Sequence, residues 1–119
     1  MFRPFVCSIA LAISLPSAAA AFDRISDRDE FMSVVAGKDL KIGLYGLTLN
    51  VQPNGTIVGK AMGWDISGSW SWENGYFCRD MDWSGTSIEY NCQLVELDGD
   101  RIRFTVDQGA GEDAVLRIR

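Results

Sequence analysis

The 119-residue sequence contains no histidine. Histidine is the commonest general acid or base near neutral pH and the commonest protein ligand of metal ions. Its absence also excludes the Ser-His and Cys-His nucleophiles of many hydrolases. We therefore predict no catalytic residue and no metal site.

A phosphate-binding glycine signature is missing as well. Residues 108–112 read Gln-Gly-Ala-Gly-Glu, which lacks the third glycine of a dinucleotide-binding loop and its strand–turn–helix setting. Glu112 and Asp113 follow, where a phosphate would be repelled. We expect an ordinary loop here and predict that the protein uses no cofactor.

Positive charge is scarce. The chain has 11 Lys and Arg against 16 Asp and Glu, a net charge of −5, which becomes −6 if Arg3 leaves with an N-terminal leader. Nucleic acids and anionic lipids are bound by clustered Lys and Arg. We therefore predict no nucleic-acid partner and expect the acidic charge to serve solubility.

Long apolar runs are absent too. The longest is the ten residues from Val6 to Leu15, whereas a bilayer span needs about 20. An arginine precedes this run, and a proline, a serine and four alanines follow it, which is typical of a cleavable secretory signal. We predict a signal peptide over residues 1–21, cleaved after Ala20 or Ala21. One periplasmic or secreted domain over residues 22–119, with no stable membrane span, would remain.

Only three cysteines are present, and Cys7 lies within the predicted signal peptide. Cys78 and Cys92 remain as a pair in an oxidising compartment, where disulfides persist. A redox pair would favour C-x-x-C spacing, and a metal site would need further Cys or His ligands. We predict a structural disulfide that closes a loop of about 15 residues and contributes about 3 kcal/mol.

One helix is predicted, from Ser26 to Gly37. Ser26 can cap it, with Asp29 three residues later as the capping-box acid. Phe31, Val34 and Val35 then form a single apolar stripe. So short a helix needs a surface to cover, and we expect it to plug or flank a sheet.

The rest of the chain alternates apolar and polar residues with a period of two, interrupted by turn signals every eight to twelve residues. About eight strands result. The pattern predicts an all-β, mainly antiparallel fold: a small up-and-down β-barrel or meander with one short N-terminal helix.

Two hairpins fix the expected pairing of strands. Asn74-Gly75 is the type I′ turn dipeptide, which sets Trp72 opposite Phe77 and Arg79 opposite Trp70 on an apolar face. Arg79 would then either stack on an indole or be rotated outward by a β-bulge. A second two-residue turn at Asp98-Gly99 predicts that Glu96 lies opposite Arg101 as an ion pair.

The candidate ligand-binding residues are aromatic or cationic. Most aromatic side chains of a small β domain form its core, but they can also line a barrel mouth that accepts an apolar or sugar ligand. In that interpretation Trp64, Trp70 and Trp72 surround a cavity, and a loop places Trp83 at the surface. The predicted binding residues are Trp64, Trp70, Trp72, Arg79 and Trp83.

Two acidic pairs are candidate chemical sites. Asp80 and Asp82 are separated by one residue, as are Asp98 and Asp100, so each pair projects from one side of an extended segment. Paired carboxylates can hydrolyse glycosides or contribute to a calcium site. Acids beside a β-turn are more often solvated turn formers, and we expect that role here.

Three segments cover essentially the whole mature region: YGLTLNVQPNGTIVGKAMGWDISGSWSWENGYFCRDMDW, YNCQLV and IRFTVDQGAGEDAVLRIR. In these segments the chain resembles a family of small exported proteobacterial proteins of unknown function. Some members carry the transferred label dihydrodipicolinate reductase. Reductases of the lysine pathway are longer, begin with a dinucleotide-binding fold and use a histidine-bearing motif. None of these features is found here, so no catalytic residue can be transferred.

The sequence thus favours a disulfide-stabilised, non-enzymatic binding or envelope-associated module, whose partner is an envelope protein or a small ligand. One alternative is a carrier of a small apolar ligand that uses the barrel interior. Another is an enzyme, either the labelled reductase or a hydrolase that depends on Asp80 or Asp82.

Overall fold

Alternating apolar residues produce nine antiparallel strands in the computed structural model, which describes residues 21–119 and the isolated positions 4, 10 and 12. The predicted signal peptide lies almost entirely outside the described residues. The strands are β1 (Asp23–Arg24), β2 (Leu40–Ile42), β3 (Leu47–Val51), β4 (Thr56–Ala61), β5 (Trp64–Glu73), β6 (Tyr76–Trp83), β7 (Thr86–Asp98), β8 (Arg101–Thr105) and β9 (Asp113–Ile118).

Strands β2 to β9 form a closed eight-stranded barrel. Each pairs with the next along the chain, and β2 pairs with β9 to close the circle. The short strand β1 is an addition that pairs with the end of β7. The predicted all-β, up-and-down barrel is therefore confirmed.

Chain connections alternate between the two ends of the barrel. The turns at 52–55, 74–75 and 99–100 lie at one end, called here the plugged end. The connections at 43–46, 62–63, 84–85 and 106–112 lie at the other, called here the open end. No helix in the described part of the chain is long and apolar enough to cross a membrane.

Helix α1 spans Arg28–Val35, within the predicted range from Ser26 to Gly37. Its N-cap is Asp27, whose carboxylate accepts a hydrogen bond of 2.8 Å from the Glu30 amide, so the prediction that Ser26 caps the helix was wrong. The carbonyl of Ser26 instead accepts a bond of 3.2 Å from the Trp72 indole. This bond fixes the helix entry against the barrel.

The helix covers the plugged end. Phe31 and Val35 are fully buried, and the Phe31 ring lies 5.1–6.4 Å from the rings of four barrel aromatics: Trp70, Trp72, Phe77 and Phe104. Arg28 lies over the Trp70 ring at 5.1 Å and donates a 2.8 Å bond to the Pro53 carbonyl. Burial of aromatic surface and these polar anchors together hold the short helix in place.

The first hairpin has the predicted register. Trp72 pairs with Phe77, and Trp70 pairs with Arg79, across a two-residue Asn74-Gly75 turn. Cys92 lies opposite Cys78 on the next strand, and the two form the predicted disulfide.

The register predicted for the second hairpin was wrong. The turn residues are Gly99 and Asp100, so Glu96 lies opposite Arg103 instead of Arg101. The predicted register would have set Leu97 against Asp100. The observed register sets Leu97 against Ile102, so an apolar cross-strand pair replaces the pairing of an apolar residue with an acid.

Candidate functional site

The barrel contains a cavity of about 310 Å³. Small-molecule pockets in proteins range from roughly 300 to 1,000 Å³, so this one fits a small ligand. Its wall is mostly apolar and is formed by Leu40, Leu47, Leu49, Val51, Ile57, Phe77, Met81, Phe104, Val106, Ala114 and Leu116. Four further residues of the wall are polar: Arg79, Gln93, Glu112 and Asp113.

The cavity reaches the surface at the open end. Glu112, Asp113 and Ala114 form part of its wall and are themselves exposed. An adjoining apolar recess shares Leu47 and Leu49 with the cavity and extends to the exposed side chains Tyr45 and Met62. An apolar surface thus continues from the rim into the interior.

Arg79 faces into the barrel. The residue is 8% exposed, and its Nη1 donates a 2.8 Å hydrogen bond to the main-chain oxygen of Glu89. A β-bulge does occur between Arg79 and Met81 in the pairing with β7, yet it does not rotate Arg79 outward. The cation over the Trp70 ring is Arg28.

Burial lowers the pKa of Arg79 from the ordinary arginine value, and the adjacent Asp80 carboxylate acts in the opposite direction. Arginine has so high a pKa that its guanidinium stays protonated at physiological pH. The cavity wall therefore carries a permanent positive charge.

Gln93 is the second polar residue that is buried in the cavity wall. It lies on β7, is 7% exposed, and its side chain makes no hydrogen bond to any described residue. Gln93 pairs with Phe77, which is two residues from Arg79, so both polar side chains belong to the same part of the wall. Gln93 is not among the binding residues predicted from the sequence. The sequence signal for Gln93 is its alternation with Val95 and Leu97, because alternate residues of a strand face the same side of the sheet.

The four tryptophans are divided between the two ends of the barrel. Trp70 and Trp72 pack on Phe31 at the plugged end, and Trp64 is 63% exposed at the open end. Trp83 is half-buried in the adjoining recess and donates a 3.1 Å bond to the Ala61 carbonyl. Of the five predicted binding residues, Arg79 alone is part of the main cavity wall.

The acidic pair Asp80 and Asp82 lies on the outer face of the barrel. Asp80 accepts a 2.7 Å bond from the Ser69 hydroxyl, and Asp82 accepts a 2.9 Å bond from the Gly85 amide. Both carboxylates are exposed, and neither belongs to the cavity wall. Their contacts stabilise the outer surface of the sheet and a turn.

One group of three potential metal ligands occurs within residues 21–119: Glu73, Cys78 and Cys92. The two sulfur atoms are bonded to each other in the disulfide, so they are not thiolate ligands. The Cys78–Cys92 bond instead links strands β6 and β7 covalently.

No family model, curated protein or solved structure matches this chain.

Proposed function

We propose that this protein is an exported, non-enzymatic binding module that holds a small, largely apolar molecule inside its barrel. The observation that carries the proposal is the apolar cavity of about 310 Å³, covered by α1 at one end and reaching the surface at the other. Eight-stranded barrels have interiors just wide enough to be filled by side chains or to hold one small ligand.

The size of the cavity supports a binding role. Protein interiors are packed as densely as organic crystals, and voids larger than a water molecule are few. At the plugged end, Phe31, Val35 and Ile102 are completely buried, and the Phe31 ring packs on four barrel aromatics, so side chains fill that end. The cavity beside Phe77 and Phe104 is therefore a local feature of the fold, and its wall suits an apolar ligand.

Export is supported by two features of the chain. The Cys78–Cys92 disulfide is of a kind that persists in oxidising compartments. The N-terminal residues have the composition of a secretory signal. We place the protein in the periplasm or outside the cell.

The proposal is tested with the neutral fluorophore N-phenyl-1-naphthylamine and two variants of strand β9. Ala114 belongs to the cavity wall, whereas its neighbour Val115 is exposed on the outer face. We expect saturable binding of one fluorophore per chain, weakened at least about tenfold by Ala114→Phe, which blocks the cavity, and unchanged by Val115→Phe. Absence of saturable binding, or equal effects of the two substitutions, would overturn the proposal.

A second candidate function is the binding of an envelope protein at the open end. Leu44, Tyr45, Met62 and Trp64 are large, apolar and exposed there. The first three lie on two turns joined by a 3.0 Å bond from the Met62 amide to the Tyr45 carbonyl, and Trp64 begins β5 directly after the second turn. Exposed apolar patches often mark protein interaction sites. A photo-crosslinking residue at Leu44, compared with one at the exposed Lys60, would form a protein adduct in cells only if this surface binds a partner.

A further inference from the structure

Arg79 is the only charged side chain within residues 21–119 that is buried. A guanidinium has five N–H donors, and this part of the chain supplies it with one acceptor, the Glu89 carbonyl. None of the three ion pairs among the described residues includes Arg79. A buried charge without a partner is costly, which sets Arg79 apart from arginines such as Arg103, which is paired with Glu96.

The unused donors of Arg79 are accessible from the cavity. Arg79 lines the cavity. Among the described residues, Nε of Arg101 is the only side-chain nitrogen that is sealed from solvent and has no hydrogen-bond partner. The unpaired nitrogens of Arg79 are therefore not sealed. The Gln93 amide lies in the same wall and is also without a side-chain partner in this part of the chain. Two polar groups that can donate hydrogen bonds are thus placed in the buried part of the cavity wall, where the other residues are apolar.

We propose that Arg79 and Gln93 form a carboxylate-binding subsite, and that the ligand is a small carboxylic acid with an apolar body. A planar guanidinium matches the two oxygens of a carboxylate in a bidentate pair, and the Gln93 amide N–H can donate to one of the same oxygens. The leucine and phenylalanine side chains of the wall enclose the rest of the molecule. This inference rests on the proposed function, since it names the class of the ligand held in the barrel.

The charges around the cavity favour a single anionic group. One buried cation neutralises one carboxylate, whereas a phosphate dianion would leave a negative charge in an apolar wall. Glu112 and Asp113 also line the cavity, but both are exposed to water at the open end. Solvent screens these two carboxylates, so the buried Arg79 determines which head group is bound.

The test compares three ligands that share one chain length and differ in head group: octanoate, octanol and octylamine. Binding to the oxidised full-length protein is measured by isothermal titration calorimetry at neutral pH. We expect octanoate to bind about ten- to a hundred-fold more tightly than octanol, because hydrogen bonds to charged groups are the strong ones. We expect octylamine to bind more weakly than octanol, because its ammonium would meet a like charge.

Arg79→Met removes the charge at similar side-chain length, and Arg117→Met removes an exposed cation from the outer face of β9 as a control. We expect Arg79→Met to abolish the preference for octanoate while octanol still binds, and Arg117→Met to change neither. Equal affinity of the unmodified protein for octanoate and octanol would overturn the inference even if Arg79→Met failed to fold. Saturable binding of the neutral fluorophore in that case would leave the proposed function standing, whereas failure of every ligand and of the fluorophore would overturn both.

Discussion

The ring of Phe31 lies 5.1 Å from the ring of Phe77, so the helix contacts a side chain that also forms part of the cavity wall. Phe31 is completely buried in this contact. The helix is therefore both the cover of the plugged end and a support for the cavity. Its eight residues would be marginal as an isolated helix, so its order depends on this packing.

Replacing Phe31 by alanine is expected to lower the free energy of unfolding by about 3–5 kcal/mol, because the change removes a fully buried ring and leaves a cavity among the aromatics. Domains of this size have only about 5–15 kcal/mol of stability, so the loss would be large. Urea unfolding followed by tryptophan fluorescence measures it. Ser33→Ala, on the exposed side of the same helix, is the control and should change stability by less than about 0.5 kcal/mol. Equal unfolding midpoints for the two variants would contradict the role of Phe31.

Gly68 lies where two backbones approach closely. A Cβ atom at this position would clash with the main-chain oxygen of Asp80 and press on the Met81 side chain. Gly68→Ala is therefore expected to destabilise the barrel by about 1–3 kcal/mol, the usual cost of overpacking. Gly43→Ala is the matched control, since a Cβ there meets no atom within 4 Å. Thermal unfolding followed by circular dichroism compares the two, and an unchanged melting temperature for Gly68→Ala would refute the steric argument.

The fold could largely be predicted from the sequence because its signals are local. The two-residue period, the Asn74-Gly75 turn and the cysteine pair each specify structure within a few residues or one strand pair. The second hairpin shows the limit of this approach. Turns at Asp98-Gly99 and at Gly99-Asp100 differ by one residue, and the choice depends on whether Leu97 finds Ile102 across the strands.

The cavity was harder to predict, since it depends on how the whole barrel closes. Residue alternation indicates that Trp70 and Trp72 face inward, but only the position of α1 determines that they pack on Phe31 at the plugged end. The orientation of Arg79 depended likewise on a bulge beside it, whose effect could not be derived from the sequence.

The disulfide is expected to contribute about 2–4 kcal/mol to stability, because it restricts the unfolded chain over a sequence separation of 14 residues. The double substitution Cys78→Ala and Cys92→Ala, made in a Cys7→Ser background, removes it without leaving a free thiol. Urea unfolding of this variant should coincide with that of the unmodified protein under dithiothreitol. A midpoint equal to that of the oxidised protein would show that the bridge adds no stability.

A hydrogen bond of 2.7 Å joins the Tyr90 hydroxyl on β7, as donor, to a carboxylate oxygen of Glu73 on β5, across the intervening strand β6. This bond, aided by slight desolvation and by the negative charges of Glu73 and Asp80, raises the pKa of Tyr90 above the ordinary tyrosine value of 10.0. The folded state thus favours the neutral phenol. The stabilisation is therefore fully present below about pH 10 and is lost as the pH rises through the raised pKa of the folded protein.

Glu73→Gln is accordingly expected to lower the pKa of Tyr90 toward its ordinary value. A neutral amide does not repel the phenolate, and it accepts a hydrogen bond from the neutral hydroxyl less strongly than a carboxylate does. Absorbance titration at 295 nm, with Tyr90→Phe as the reference that isolates this residue, gives the pKa directly. Glu89→Gln is the matched control: it removes another exposed acid from the residue next to Tyr90, one whose side chain makes no hydrogen bond to the phenol. If both substitutions shift the pKa of Tyr90 equally, the cause of the raised pKa is the general negative charge and not the hydrogen bond to Glu73.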